Sequence, residues 1–582
     1  MNVQRTILWI IFGMSLLFLY DNWQREHGRP SMFGGPPPQT TPAKGAAQAP
    51  AESPATPAAK DSSIPPSTPA QPGGESVATP PAAAPVAAAA QRVRIETDMV
   101  RADIDPNGAV LVHLELRKQK VAPDWTAAGL MSLITGKKQD REANVVLLDV
   151  SNQRVYTVQT GLIGAQGASY PNHRTLFTPI DGPRTLEAGQ DSLTVKFVAE
   201  SGGLKLIKSY TFKRGRYDIE VKHEVINDSG AAVAPSLYLQ ILRDGNKPEG
   251  ESGMYHTFTG PAVYTDAEKF HKIEFSDIEK NKLNFPRSAK DGWVAMIQHY
   301  FVTAWVPPEG APRELYAREV DKNLFSVGSI LPLASIAPGA SATSPSTLYV
   351  GPEDQNALKE IAPGLDLVVD YGWLTFIAKP LYWLLEFFHR LLGNWGWAII
   401  MLTVVVKAAF YPLSAASYKS MAKMKEVTPR LMKLREQYAD DKQKLNTAMM
   451  EMYKTEKINP LGGCLPILVQ IPVFIALYWV LLASVEMRNS PWILWVKDLA
   501  TPDPWFILPL VMMASMWIQY KLNPTPPDPV QAKVMAVMPF IFGAMFFMFP
   551  AGLVLYWVVN NVLSILQQWY VTRQIAAAKR VG

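Results

Sequence analysis

Cysteine is almost absent: among 582 residues there is one, Cys464. That excludes an intramolecular disulfide framework and any cysteine-based zinc or iron–sulfur cluster. Enzyme signatures are missing too. The chain contains no H-E-x-x-H and no G-x-S-x-G, and Gly136-Lys137 lacks both the upstream glycine and the following Ser or Thr of a P-loop. Leu461-Gly462-Gly463-Cys464 has the look of a lipoprotein box, but it lies deep in the chain, where a buried cysteine at a helix start is the better reading. Net charge is also scarce. Fifty-six Lys and Arg against 51 Asp and Glu leave +5, which is no footprint of a nucleic-acid substrate. No cofactor and no metal site are expected.

Large apolar residues fail in one place. From Gly28 to about Gln91 the chain is dominated by Pro, Ala, Gly, Ser and Thr, with 15 of the 48 prolines between Pro30 and Pro85. Such a segment has little to bury and is expected to be a disordered tether. Before it stand fifteen uncharged residues, Thr6–Tyr20, behind Arg5 and ahead of Trp23. With no small-x-small cleavage site following, they read as an uncleaved anchor with a cytoplasmic N-terminus; a signal peptide removed further on is the alternative. The expected domains are therefore an anchor over 1–24, a tether over 25–91, a β-domain over 92–362 and a helical core over 363–582.

The β-domain rests on period-two alternation. Val110–Leu116 and Leu204–Phe212 alternate as strands do, and Pro106-Asn107-Gly108, Asp181-Gly182-Pro183 and Lys213–Arg216 punctuate them. About 270 residues of this predict a large antiparallel β-sandwich, placed outside the cytoplasm by the anchor.

The core reads differently. Pro380–Leu392 sets Leu381, Leu384, Leu385, Phe388, Leu391 and Leu392 on one stripe. That is an amphipathic helix lying on the membrane face or packed on the β-domain. Uncharged stretches follow at Leu391–Val406, Leu461–Val485, Pro504–Tyr520 and Val534–Thr572. The last has 39 residues, nearly twice the roughly 20 of one crossing, and folds at Pro550-Ala551-Gly552. With the anchor this predicts six transmembrane helices. Loop 414–460 carries 10 Lys and Arg, against two in 485–503, two in 521–533 and three in 571–582. Positive-inside bias puts that loop and the C-terminus in the cytoplasm. The expected fold class is a multi-domain membrane protein, an all-α polytopic core plus an extracytoplasmic antiparallel β-domain.

One charge lies inside an apolar helix predicted over Trp395–Leu413: Lys407, with Thr403 four residues earlier on the same face. A cation at the membrane centre costs about 2.5–3.5 kcal/mol on insertion scales. It either faces a hydrophilic cavity or snorkels toward the cytoplasmic interface. Gln470, Ser515, Gln519, Asn560, Asn561, Ser564, Gln567 and Gln568 are polar groups at similar depth, able to line such a cavity or to bond helices together. In loop 414–460, Thr428-Pro429 is expected to open one helix and Asp440-Asp441 to break it and start another. Met421, Met424, Met432, Met449, Met450 and Met452 give this helical hairpin a soft apolar face for varied partners; the alternative is a solvated hairpin resting on anionic headgroups.

Several motifs then resemble one family. Asn459–Pro466, Gln470–Phe474, Tyr411-Pro412-Leu413, Ser420–Met424 and Phe549–Trp557 are similar to the YidC membrane-protein insertase family, as are Gly351-Pro352-Glu353 and Leu365–Trp373 at the junction of outer domain and core. The likeness is dense over about 363–575 and weaker before it. It implies a β-supersandwich outside and an insertase-chaperone core with a hydrophilic groove open to cytoplasm and lipid. That core would act on nascent membrane proteins without covalent catalysis, with the Sec translocon, the ribosome and the lipid bilayer as further partners. The family's groove cation is typically arginine, and Lys407 stands here instead, keeping charge but not the planar fork. The resemblance assigns Tyr556 and Trp557 to substrate contact and places Lys407 in the groove, where the residue pattern sets Thr403, Gln470, Gln519, Asn560 and Asn561 as candidate lining. The rival classes are a small-solute transporter, for which no inverted repeat or paired carboxylates are seen, and a membrane-anchored glycan-binding or glycan-active protein.

Overall fold

The computed structural model describes residues 63–65, 91–121, 143–151, 154–164, 168–248, 257–438, 441–456, 465–523 and 529–581. The N-terminal anchor, most of the expected tether and Cys464 lie outside them. The chain forms two compact units, one ending at Val369 and one beginning at Asp370.

Among the described residues, the first unit holds two nine-stranded sheets whose neighbours all pair antiparallel. Alternation explains the strands. Ser192–Ser201 and Leu204–Lys213 bury every second side chain, and the two residues between them, Gly202 and Gly203, take φ of +60° and +75°. Those angles suit the tight hairpin turn whose twist matches the strands it joins. Between the sheets lie Trp305, Tyr156 and Phe197, all fully buried. Polar bonds cross this core as well: the Trp305 indole donates to the Gln240 carbonyl at 3.3 Å, and the Tyr156 hydroxyl to that of Met296 at 3.3 Å. Such bonds satisfy groups whose burial would otherwise cost stability. The Leu365–Val368 turn closes the unit, and the Trp293 indole donates to the Pro363 carbonyl.

One part of the expected tether has a defined place. Ser63, Ile64 and Pro65 sit on the β-domain, Ile64 against Ile163, Tyr238, Tyr316 and Ile330.

The second unit is helical: α1 Thr375–Leu392, α2 Trp395–Ala409, α3 Tyr411–Gln437, α4 Lys442–Thr455, α5 Leu465–Ala483, α6 Ile507–Leu522, α7 Pro529–Phe546 and α8 Ala551–Val581. Helix α1 starts five residues before the expected Pro380 and packs on α2 and α5. It buries Leu381, Tyr382, Leu385 and Phe388, while Phe376, Trp383, Phe387 and Leu391 project outward. The helix predicted over Trp395–Leu413 breaks at Phe410, where α2 and α3 meet at 66°. Pro412 at the start of α3 accounts for the break, because proline is tolerated in a first turn but not in a helix interior.

The expected helix start at Thr428-Pro429 does not occur: α3 runs through it, with Pro429 inside. The Thr428 hydroxyl bonds back to the Met424 carbonyl. Val427 and Leu431, on either side of the proline, bury against Met424, Met449, Met452 and Tyr453. Packing on α4 outweighs the local signal. Asp441 caps α4, its Oδ1 accepting from the Gln443 and Lys444 amides.

Among the described residues, no single helix is long and apolar enough to cross a membrane by length and composition; the bent α2–α3 pair is, and shorter apolar helices lie at Val469–Ala483, Ile507–Leu522 and Ala532–Phe546. Their outer surfaces are greasy. Val404, Val405, Leu510, Val511, Val537, Phe540, Ile541, Val562 and Leu566 are all exposed, the inverse of a water-soluble bundle.

Candidate functional site

Lys407 is 5% exposed and points into the helical unit, not out of it. Its ammonium donates to the Ser564 hydroxyl on α8 at 2.7 Å, and that hydroxyl in turn donates to the Asn560 carbonyl at 2.7 Å. The Gln567 amide reaches the Lys407 carbonyl at 3.5 Å. Spacing on α8 makes this possible, since 560, 564 and 567 fall on one helical face. From α3, Ser414, Ser417 and Tyr418 are buried, and the Tyr418 hydroxyl is directed at Ser564. Ser564 is one of the polar groups expected at this depth, whereas Tyr418 is a partner that the sequence reading did not name. The signal was present, as Ser414, Ser417 and Tyr418 keep i, i+3, i+4 spacing.

The other candidates distribute around this point. Thr403 is buried one turn before Lys407, with its hydroxyl on the Ile399 carbonyl of its own helix. Asn561 belongs to a second polar group, donating to the Ser515 hydroxyl of α6 at 3.3 Å and lying 3.6 Å from the Met512 sulfur. Gln568 donates to Asn523 at 3.1 Å. Gln519 and Gln470 are half-buried and lie outside both hydrogen-bonded groups.

Tyr556 and Trp557 form a third cluster. Phe474 of α5 approaches both rings, at 5.3 and 4.9 Å between centroids, and Phe546 meets Trp557 edge-on at 4.0 Å. Trp557 lies two turns before Ser564 on α8 and so continues the Lys407 face. Its indole N–H and the Gln567 and Gln568 amide oxygens are buried without hydrogen-bond partners among the described residues. Each such group costs about 1–3 kcal/mol if left unmade.

One end of the unit is closed by the segment 484–506. Asn394 caps α2 through the Trp397 amide while donating to the Pro491 and Trp492 carbonyls. The Ala551 and Gly552 amides bond the Thr501 and Leu499 carbonyls, and Asp503 caps the start of α6. Val496, Leu499 and Met487 are buried there.

The hairpin methionines divide. Met424, Met449 and Met452 hold α3 to α4, Met421 is half-buried, and Met432 and Met450 are exposed. Arg430 and Glu456 tie the same two helices at 2.7 Å. Three of the six methionines on the soft face expected to meet partners are thus used internally.

Comparison with known proteins bears on both units. Residues 92–384 match the YidC periplasmic domain family, and residues 387–579 match the 60Kd inner membrane protein family. A membrane protein insertase YidC of Bordetella avium is 56% identical over 582 residues, covering all of both chains. That of Cupriavidus necator is 53% identical, covering all of this chain and 99% of its own. A crystal structure of an active YidC insertase with its first transmembrane domain resolved covers 83% of this chain and 93% of its own, at 16% identity and a TM-score of 0.38. On full-length identity and two family matches, the chain belongs to the YidC family of membrane protein insertases, inner-membrane proteins with a periplasmic domain.

Proposed function

We infer that insertion runs through a polar groove built around Lys407, open to the cytoplasmic side and to lipid. The observation that carries this reading is the buried ammonium held by Ser564 on the same α8 face as Asn560, Gln567 and Trp557, in a unit whose outer surface is apolar. Ser564 occupies one of the ammonium's three donors. The remaining N–H groups, the Trp557 indole and the Gln567 oxygen then offer partners to a polar segment of an incoming chain. The apolar outer faces let its hydrophobic helix leave into lipid.

Several finer features belong to this reading. The N-terminal anchor and five core spans make six crossings with both termini cytoplasmic, as the basic loop 414–460 favours. Segment 484–506 closes the groove on the periplasmic side, and α1 lies in the outer interface on its Phe376, Trp383, Phe387 and Leu391 row. Helix α2 spans 15 residues, roughly 23 Å, short of the roughly 30 Å hydrocarbon core, so the bilayer thins beside it. The protein performs no covalent chemistry. It folds its clients as well as inserting them, alone or beside the Sec translocon, with ribosomes delivering some of them.

Photo-crosslinkers on the Lys407 face of α2 and at Asn560 and Gln567 of α8 test the groove. They are expected to capture a nascent membrane protein, whereas probes at the outward Val404 and Val562 are expected to meet lipid first. Lys407→Glu is expected to lower insertion of small clients with acidic translocated segments more than Lys407→Arg does. Full activity of Lys407→Glu at normal expression, with no capture from α8, would sink the groove.

A further inference from the structure

The β-domain carries a second built site. In the first sheet, strand register sets Gln159, Gln240, Gly328 and Tyr316 in one row across four strands, with Gly161 and Tyr238 paired in the next row on that face. Two glycines make room for two tyrosines. A Cβ at Gly328 would come within 2.5 Å of the Tyr316 hydroxyl, and one at Gly161 within 2.6 Å of that of Tyr238. Both rings therefore lean over the sheet and wall a shallow groove with Ile163 and Ile330.

The polar atoms of this groove are fixed in advance. Tyr316 donates to the Gln240 oxygen at 2.7 Å, and the Gln240 amide donates to Gln159 at 2.6 Å. The Tyr238 hydroxyl accepts from the His173 amide and lies 2.6 Å from His173 Nδ1. That pairing leaves Nε2 of His173 to face outward from the sheet.

We propose that this groove is a clamp for short peptides of the pattern Ser–aliphatic–Pro, and that its resident ligand is the chain's own Ser63-Ile64-Pro65. Both backbone and side chains are read. Gln240 and Arg318 each donate to the Ser63 carbonyl at 3.0 Å, and the same guanidinium reaches the Ile64 carbonyl at 3.3 Å. One planar fork thus holds two successive peptide oxygens, a task suited to arginine. His173 Nε2 and Arg174 both meet the Ser63 hydroxyl at 3.1 Å. Ile64 fills the aliphatic and aromatic floor between Tyr238 and Tyr316. The chain turns at Ser63 and bends at Ile64, and Pro65 restricts the Ile64 backbone and brings no N–H of its own into a site rich in donors.

The contrast with its surroundings identifies the segment as a ligand. Within a stretch of Pro, Ala, Gly, Ser and Thr, Ile64 is the one large aliphatic residue between Phe33 and Val77. It is also the residue that the groove takes in. The clamp fastens the long linker ahead of Arg92 to the β-domain at a point 27 residues before the first strand (66–92 being the intervening residues) and keeps the groove occupied in cis.

Two measurements on the full-length protein in nanodiscs test this. Trypsin sites at Lys44 and Lys60 lie in the same linker, and only Lys60 adjoins the clamp. Cleavage at Lys60 relative to Lys44 should rise about tenfold in Ile64→Asp, a substitution outside the β-domain fold, as the segment is released. A fluorescein-labelled peptide of residues 58–70, added in trans, should bind Ile64→Asp at least about tenfold more tightly than the wild-type chain, whose cis segment competes at roughly millimolar effective concentration. Adding Arg318→Ala to Ile64→Asp should abolish that binding, whereas Lys322→Ala, on the neighbouring turn, should not. An unchanged Lys60 to Lys44 ratio overturns the proposal. So does equal peptide binding to wild type and Ile64→Asp, or absence of binding to both.

Discussion

Lys208 is a lysine with no solvent, buried at 0% exposure between the sheets of the periplasmic domain. Its ammonium donates to the Gly108 carbonyl at 2.6 Å and the Thr160 carbonyl at 2.9 Å, and stands 4.5 Å from the Phe177 ring centroid. His223 shares Thr160 through its hydroxyl at 2.9 Å. Burial alone pulls Lys208 from its ordinary 10.5 down to about 7. Burial, and then the Lys208 charge, pull His223 down to about 3. The unfolded chain thus binds more protons than the folded one between pH 7 and 10.5, so stability rises with pH across that window. At about 1.4 kcal/mol per unit of pKa shift, the burden of Lys208 is about 4 kcal/mol at pH 7 and falls by about 3 kcal/mol on going to pH 9.5. Below that window, His223 acts with the same sign between its two values of about 3 and 6.5. Lys208→Met removes the titrating group and leaves two carbonyls short of a donor, at about 1–3 kcal/mol each. The absolute stability of the variant is therefore a poor test, and the slope is a clean one. Pulse proteolysis in urea, following the periplasmic fragment of the full-length protein, gives the unfolding midpoint from pH 7 to 9.5. The wild-type midpoint should climb and that of Lys208→Met should stay nearly flat, with equal urea dependence. Parallel pH profiles would refute the argument, since His223, the group that feels the Lys208 charge, is already neutral in the folded state across this range.

Two further outcomes follow from packing. Leu431→Ala removes a side chain that is 1% exposed from the small cluster joining α3 to α4, a loss of about 2–5 kcal/mol for a core leucine. Proteolysis within 441–456 should accelerate while α8 stays protected; unchanged cutting would mean that α4 is held by something other than this cluster. Asn394→Ala deletes a helix cap worth about 1–2 kcal/mol together with two bonds to the 491–492 backbone. Amide exchange over 485–503 should quicken about tenfold or more with the rest of the core unaffected, and an unchanged rate would remove the asparagine's role in closing that end.

Features written in local chemistry were legible in the sequence. The strand Leu204–Lys213 alternates as read, and Asp441 caps the helix that it was expected to start. The fold at Pro550-Ala551-Gly552 sits between α7 and α8. Thr428-Pro429 shows where such reading fails. A cap-and-proline pair is a good helix start in isolation, but Val427 and Leu431 bracket the proline with a shared hydrophobic partner, and a continuous helix buries both. The local preference, worth about 3 kcal/mol for an interior proline, was outweighed by contacts to Met449, Met452 and Tyr453, 18 to 26 positions away from Val427 and Leu431.

Sites suffer more from this limit than elements do. Lys407 was identifiable alone, because a charge within an apolar run is conspicuous. Its partner Ser564 lies 157 residues away and was one of eight polar groups named at similar depth, with nothing local to choose it over the other seven. The groove on the β-domain depends still more on register: Gln159, Gln240, Gly328 and Tyr316 share a row only because three strand pairings align them, and shifting any one strand by a residue would turn its member to the other face. Composition hid the ligand as well. The expectation that a linker poor in apolar residues lacks structure of its own concerns only what the segment can bury by itself. Ile64 buries itself on another surface, one assembled from strands that begin about a hundred residues later. A single aliphatic residue in a linker that otherwise lacks them is therefore informative about a partner, even where it says nothing about a fold.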